Sequence, residues 1–465
     1  MSAATPIRDP HGLPKEAETT SEDANVGTSA RLEPRELLRR LAEARAMTDA
    51  LFGIVRTEAL YERPIPERHR IVFYVGHLEA FDWNLIAPWA LQAPAFQENY
   101  DRLFAFGIDP VDGQLPTDQP GDWPALAEVW RYVASVREKL DAVLKEGSGP
   151  AWQVPEVRDG KLLHVAIEHR LMHAETLAYM FHRLPFSQKM PQTVASAPHA
   201  STVAPNLVGI PAGRATLGLK RDGGAFGWDN EFEELSVEVP AFAIDTCNVT
   251  NGRFLEFVRA GGYQERRLWN EDAWAWKEQA GIRHPAFWVQ TNGQWFYRGM
   301  FEEAPLPLDW PAYVSHAEAT AYAHWRGKEL PTEAQFHRAA YGTPDGRERA
   351  FPWGNESPNG QHGNFDFHHW EPSPIGSYPA GVSAFGVADL LGNGWEWTST
   401  VFGPLPGFEP FPFYPGYSAN FFDGKHYVIK GGSPRTAACM LRRSFRNWFQ
   451  SRYPYVYATF RCVEN

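Results

Sequence analysis

The chain changes character twice along its length, and the second change, near residue 185, requires at least two domains. From about Glu33 to Leu184, apolar residues recur at three- and four-residue spacing in Arg35–Thr57, Ile71–Leu91, Trp123–Lys145 and Lys161–Arg183, segments rich in Ala, Leu, Glu and Arg. That periodicity predicts four helices, and four helices with apolar stripes make a bundle. Residues 185–205 have linker composition. Beyond them Gly, Pro and Trp are dense, strand-like runs are short, and only His316–Arg326 and Glu333–Tyr341 carry helical patterns. A loop-rich α+β domain held by aromatic packing is expected over 206–465. Residues 1–33 bury too little apolar surface to offset the entropy of ordering, so a disordered tail is expected there.

Composition sets further bounds. A chain of 465 residues exceeds one ordinary core, and 43% hydrophobic with 22% charged residues fits a soluble globular protein. A net charge of −12 opposes nucleic acid or an anionic membrane as the main partner, since either needs a basic face. The three cysteines, Cys247, Cys439 and Cys462, form no CxxC pair, so neither a disulfide framework nor a thiolate metal site is indicated. With no apolar leader and no long apolar window, the expected location is the cytoplasm.

The chemistry concentrates in His169-Arg170-Leu171-Met172-His173-Ala174-Glu175. Residues four apart stack on one helix face, so His169 and His173 can hold one metal between them. Glu175 is off that axis and is expected to accept a hydrogen bond from a ligand imidazole or a bound water. A third ligand is sought on another helix, and His77 within Phe73–Trp83 is the best placed. Three neutral imidazoles with open positions suit Fe(II), Zn or another borderline divalent ion. The alternative is a set of solvated or core-capping histidines. His164 and His182 point away from the pair and read as structural. The long connection 93–122 is of a length that is often functional in a compact domain.

Six motifs occur in order in the second half: Val208–Gly213, Phe242–Asp245 with Val249-Thr250-Asn251, Leu330–Ala334, Gly392–Thr398, Gly431-Gly432-Ser433 and Arg446-Asn447. Together they resemble the formylglycine-generating-enzyme (sulfatase-modifying factor) fold, a C-type-lectin-like variant. Cys439 and Cys462 are too far apart to match that family's copper-binding pair, so formylglycine generation is not expected. The preceding bundle, with His77 and the HxxxHxE helix, resembles the DinB-type domain. The fusion is similar to the ergothioneine-type hercynine sulfoxide synthases and their selenium counterparts, the selenoneine synthases. The resemblance implies a DinB-like four-helix bundle over 34–184 followed by a formylglycine-generating-enzyme-like domain, with Fe(II) held by His77, His169 and His173. It also implies an O2-dependent reaction that joins sulfur or selenium to the imidazole C2 of hercynine, the N-α-trimethylated form of histidine.

Other roles come from the same resemblance. Tyr414, in Tyr414-Pro415-Gly416-Tyr417, matches a tyrosine that delivers a proton in the oxygen step, while Tyr417, Asn447 and Trp448 match positions that hold hercynine. Met172 replaces a glutamine that contacts hercynine. Phe449 and Tyr453 stand where enzymes using γ-glutamylcysteine carry an Asp and an Arg, and the bundle loop reads Gly107–Asp112 where two further arginines belong. A dianionic peptide is poorly served there. Asp109, Asp112, Arg452, Tyr453, Tyr455 and Tyr457 better suit a hydroxyl-rich donor such as a selenosugar. Cysteine or another thiol is the alternative donor. Readings of another class are a zinc-dependent DinB-type thiol transferase and a non-catalytic lectin-like binding protein.

Overall fold

The computed structural model describes residues 32–91, 96–106, 115–147, 149–190, 192 and 206–465. All but the last two residues of the expected tail, the acidic stretch around Asp109 and Asp112, and most of the 185–205 linker lie outside the described residues.

The first half is helical, as its periodicity predicts. Helix α1 spans Pro34–Gly53, α2 Ile71–Leu91, α3 Glu98–Phe106 and α4 Leu126–Leu144; a short α5 (Pro155–Arg158) precedes α6 (Lys161–Arg183). Helix α1 stops short of Thr57, where a 3-10 turn over Thr57–Tyr61 takes over, and α4 begins at Leu126 rather than Trp123. Helix α3 sits inside the connection that was expected to be a long loop. Its nine residues are too short a stretch to show a sustained period.

Helix α6 is the centre of the bundle. It contains neither Gly nor Pro, and 17 of its 23 residues are buried, so neighbours cover most of its circumference. Helices α1 and α2 pack on it, and α2 also packs on α3 and α4. The close approach of α3 depends on Gly76: a Cβ there would lie 2.4 Å from the Phe104 ring.

The register of α2 against α6 is fixed by a buried ionic cluster. Arg170 donates to Asp82 at 2.7 Å and to the Leu78 carbonyl at 3.0 Å, and lies 2.9 Å from Glu79. Arg137 reaches Glu79 from α4 at 2.8 Å. Each of these carboxylates would be costly to bury alone.

The second half is built from short sheets. A four-stranded sheet runs β10 (Asn447–Gln450), β9 (His426–Lys430), β8 (Trp395–Val401), β11 (Ala458–Thr459), antiparallel except for the β8–β11 pair. A second sheet joins β1 (Leu207–Ile210), β4 (Phe242–Asp245) and β12 (Val463–Glu464), so the two ends of the domain meet in one sheet. The pair β2 (Gly213–Leu217) with β3 (Leu235–Val239), and the meander β5–β6–β7 over Trp288–Pro305, complete the set. Helices α9 (His316–Trp325) and α10 (Glu333–Tyr341) fall where the pattern predicts. Two more, α7 (Asn251–Arg259) and α8 (Glu271–Gln279), were not anticipated; each is announced by its N-cap, Thr250 and Asn270, whose side chains accept from the third residue on.

One continuous apolar core runs through both halves, from Leu37 and Leu163 in the bundle to Trp228, Trp395 and Phe460 beyond the linker. No helix among the described residues is long and apolar enough to cross a membrane.

Candidate active site

His77 on α2 and His169 and His173 on α6 converge, and their ligand-capable nitrogens all lie within 4.8 Å of one another. The local reasons are visible. His169 and His173 share a helix face, and the Arg170 cluster holds α2 at the height that brings His77 opposite them. His77 Nδ1 lies 2.7 Å from the Phe104 carbonyl. A carbonyl only accepts, so Nδ1 carries the proton and Nε2 is left with the lone pair a metal needs. The buried Nδ1 atoms of His169 and His173 have no hydrogen-bond partner among the described residues.

Burial pushes the His77 imidazole down to about 4 and holds those of His169 and His173 well below the usual range, with neighbouring histidines adding to the latter two. All three are therefore neutral at physiological pH, which metal ligation requires. A set of three imidazoles, with no thiolate or carboxylate, fits a borderline divalent ion such as Fe(II) or Zn and leaves positions open for other ligands. Aromatic rings wall the centre. Phe81 lies flat on His169 at 3.4 Å, Phe73 stacks on His77 at 4.6 Å, and Tyr74 tilts against His173 at 5.5 Å.

The second half closes over this centre with the loop that carries Tyr414. The Tyr414 ring stands 6.4 Å from His169 and 5.3 Å from Phe81, edge-on to both. Burial pushes its phenol up to about 12, with the Asp229 carboxylate adding to the shift. Tyr417 follows at 5.5 Å, stacks on Trp228 at 4.0 Å and donates its hydroxyl to the Met172 sulfur at 3.4 Å. Trp448, on β10, meets Tyr417 edge-on at 5.4 Å. Thus His77, His169, His173, Met172, Tyr414, Tyr417 and Trp448 form one contiguous group.

Comparison with known proteins assigns both halves. The sulfatase-modifying factor enzyme 1-like domain matches residues 192–465, and the DinB superfamily matches residues 40–177. A protein named hercynine oxygenase from Mycolicibacterium thermoresistibile is 36% identical over 427 residues, covering 89% of this chain and 91% of that protein. One of the same name from Mycobacterium tuberculosis is 36% identical, covering 89% of this chain and 95% of its own length. The chain belongs to the hercynine oxygenase family. Ergothioneine biosynthesis protein 1 of Neurospora crassa is 29% identical across 88% of this chain, which spans 55% of that longer protein. As a family member the chain is an enzyme, an oxidoreductase with a DinB-like helical part and a β-rich sulfatase-modifying-factor-like part.

Within this hercynine oxygenase family member, Glu175 does not have the role its position suggested. Its carboxylate accepts from Trp395 Nε1 at 2.8 Å, from Thr436 Oγ1 at 3.0 Å and from Ser433 Oγ, so it ties α6 to the second half instead of orienting an imidazole. Glu168 does the same one heptad earlier, pairing with Arg442 at 2.7 Å and accepting from Trp228 Nε1 at 2.8 Å. Seven residues are nearly two turns, so both carboxylates leave α6 on one face, about 100° round from His169. The acidic pair at that spacing was the available signal. His164 stacks on Phe226 at 4.7 Å, and His182 bonds the Arg298 carbonyl at 2.5 Å; both are packing residues, as anticipated.

The remaining candidates flank the centre. Asn447 Oδ1 accepts from the Trp448 backbone N–H at 2.8 Å. Phe449 stacks on Tyr453 at 5.4 Å, and Tyr455 stands edge-on to Tyr453 at 5.1 Å, giving an aromatic wall. Arg452 is exposed on the turn after β10 and is not drawn into the group. Cys247, Cys439 and Cys462 are free thiols. Sequence reasoning missed Phe81, Phe104 and Arg68, which reach the centre through packing between elements and carry no motif.

Proposed function

We propose that this enzyme joins selenium from a selenosugar to C2 of the hercynine imidazole, using Fe(II) held by His77, His169 and His173 and O2 as oxidant. The observation that carries the reading is the three-imidazole centre with the Tyr414 phenol beside it, in a chain similar over 89% of its length to a protein named hercynine oxygenase. When bound, Fe(II) supplies the means of activating O2. In the balance of the reaction, C2–H and Se–H give way to C2–Se, and O2 takes up the two electrons and the two protons released.

The chain's own residues position and protonate. Tyr414, with its phenol pushed up to about 12, keeps its proton at neutral pH and holds it beside the His169 ring, where a general acid is needed. Asn447, with Oδ1 spent on the Trp448 N–H, offers its amide N–H groups to the hercynine carboxylate. Tyr417 and Trp448, set at 75° to each other, offer π surface to the trimethylammonium, a contact worth roughly 0.5–2 kcal/mol. Met172, between the two α6 ligands, gives a soft apolar wall whose sulfur fixes the Tyr417 hydroxyl. The aromatic wall of Phe449, Tyr453 and Tyr455 suits the faces of a sugar ring, and these three side chains themselves bring none of the several charges a glutamyl group needs.

A sulfur donor is the second reading, favoured by the ergothioneine biosynthesis protein among the relatives. Competition separates the two. With hercynine, Fe(II), O2 and equal concentrations of a 1-selenosugar and γ-glutamylcysteine, the selenium product should predominate; mainly sulfur product from the dipeptide would overturn the donor assignment.

A further inference from the structure

Arg68 lies just before α2, on the connection that leads from the Thr57–Tyr61 turn. Its Nε donates to the Tyr453 hydroxyl at 2.9 Å and its Nη2 to the Tyr179 hydroxyl at 2.7 Å, and the guanidinium lies 5.4 and 5.7 Å from the centres of the same two rings. Several other arginines meet carboxylates, Arg170 with Glu79 and Asp82, Arg442 with Glu168 and Glu231, Arg446 with Glu333 and Arg461 with Glu396, whereas Arg435, stacked on Trp370, forms no ion pair among the described residues. Arg68 forms no ion pair with a carboxylate among the described residues, and the neighbouring Glu67 is exposed. Tyr179 and Tyr453 offer hydroxyl oxygens, which solvate the guanidinium as hydrogen-bond acceptors and are not carboxylate counter-ions. A partly buried cation that no carboxylate among the described residues balances is costly to hold, and such a site suits an anionic ligand.

Its position says which substrate supplies that anion. Tyr179, to which Arg68 donates, lies on α6 six residues beyond His173, and the Tyr74 ring of α2 is 5.5 Å from that histidine. The partner of Arg68 in the second half is Tyr453, which stacks on Phe449 in the wall assigned to the donor, not Asn447 or Trp448. We infer that Arg68 recognises the ionised chalcogen, selenolate or thiolate, of the second substrate. It thus restores, from the bundle, one positive charge beside the position where Tyr453 stands. A single guanidinium matches a donor whose negative charge is its chalcogenolate, and two tyrosine hydroxyls hold it at a fixed angle.

This inference rests on the proposed reaction for its donor, and the test separates the two. Steady-state KM for donor and for hercynine is measured for wild type, Arg68→Lys and Arg68→Gln, with melting temperatures. In parallel, metal-free protein is titrated with 1-thioglucose and with glucose over the pH range in which the thiol ionises. Arg68→Gln should raise the donor KM by about tenfold or more, the scale of one charge-assisted hydrogen bond, and leave hercynine KM within about twofold; Arg68→Lys should recover most of the loss. Wild type should bind 1-thioglucose more tightly as the thiol ionises, glucose should show no such rise, and Arg68→Gln should abolish it. Unchanged donor KM and thiosugar binding in Arg68→Gln would overturn the inference. So would equal rises in both KM values with lower melting temperatures in both variants, the behaviour of a strut between the halves. If wild type makes no selenium or sulfur product while thiosugar binding still depends on Arg68, the proposed reaction fails and the anion site stands.

Discussion

His169 and His173 are four residues apart on a helix that neighbours cover on most sides, and burial there has a chemical consequence: the imidazoles stay neutral, and their Nδ1 atoms find no partner among the described residues. His169→Ala or His173→Ala should therefore abolish iron binding and product formation, whereas His164→Ala, which removes only a ring stacked on Phe226, should leave iron content nearly unchanged. Metal analysis of the purified variants checks both. Tyr414→Phe removes the proton and little else, so hercynine affinity should stay within a few-fold while the O2-dependent step slows or diverts to another product; unchanged turnover would return Tyr414 to a packing role. At this scale the convergence of the three histidines was legible because residues four apart share a helix face and His77 lies in a second apolar run. Glu175 was misread because its partners, Trp395, Ser433 and Thr436, are more than 200 residues away in sequence.

Helix α2 carries His77, and two contacts set where that imidazole stands. The Phe104 carbonyl of α3 fixes the His77 tautomer, and Gly76 lets the Phe104 ring reach the α2 backbone. Gly76→Ala should push α3 away, destabilise the protein by roughly 1–3 kcal/mol as overpacking does, and weaken iron binding through the loosened His77. Denaturant titration and metal affinity of that variant are the readouts, and a variant unchanged in both would show that α3 does not orient the ligand. The spans of α2 and α6 were readable from apolar period alone. The short helices α3, α7 and α8, nine residues each, were not, because so few turns give the period little to repeat. For α7 and α8 the caps, Thr250 and Asn270, were the better signal.

Across the whole molecule, α6 serves both halves, lending one face to the centre and another, through Glu168 and Glu175, to the strands and loops beyond the linker. A two-part fold was evident from the change in composition, but the shared core was not, since packing between distant segments leaves no periodic trace. A titratable group packed between these segments makes stability depend on pH. Burial pushes Glu371 up to about 7 from an ordinary 4.5; one carboxyl oxygen accepts from the Met300 N–H and the other is buried without a partner among the described residues. The folded protein holds this proton to higher pH than the unfolded chain, so the stability it contributes is fully present below about 4.5 and is lost as pH rises through about 7. Glu371→Gln should remove that loss, gaining on wild type by ~1–3 kcal/mol between pH 5 and 8 in denaturant titrations. A difference that stays flat over that range would contradict the burial of the carboxyl.

The central claim is that the three-histidine centre directs O2-dependent bond formation to one carbon of hercynine. Fe(II)-loaded protein is mixed anaerobically with hercynine deuterated at C2 and a 1-selenosugar, then exposed to O2, and the product is read by mass. The account predicts a product with the selenium isotope pattern that has lost the C2 deuterium, formed only after O2 is admitted and absent with His169→Ala. Hercynine recovered with its deuterium intact, or the same product formed without O2, would contradict it.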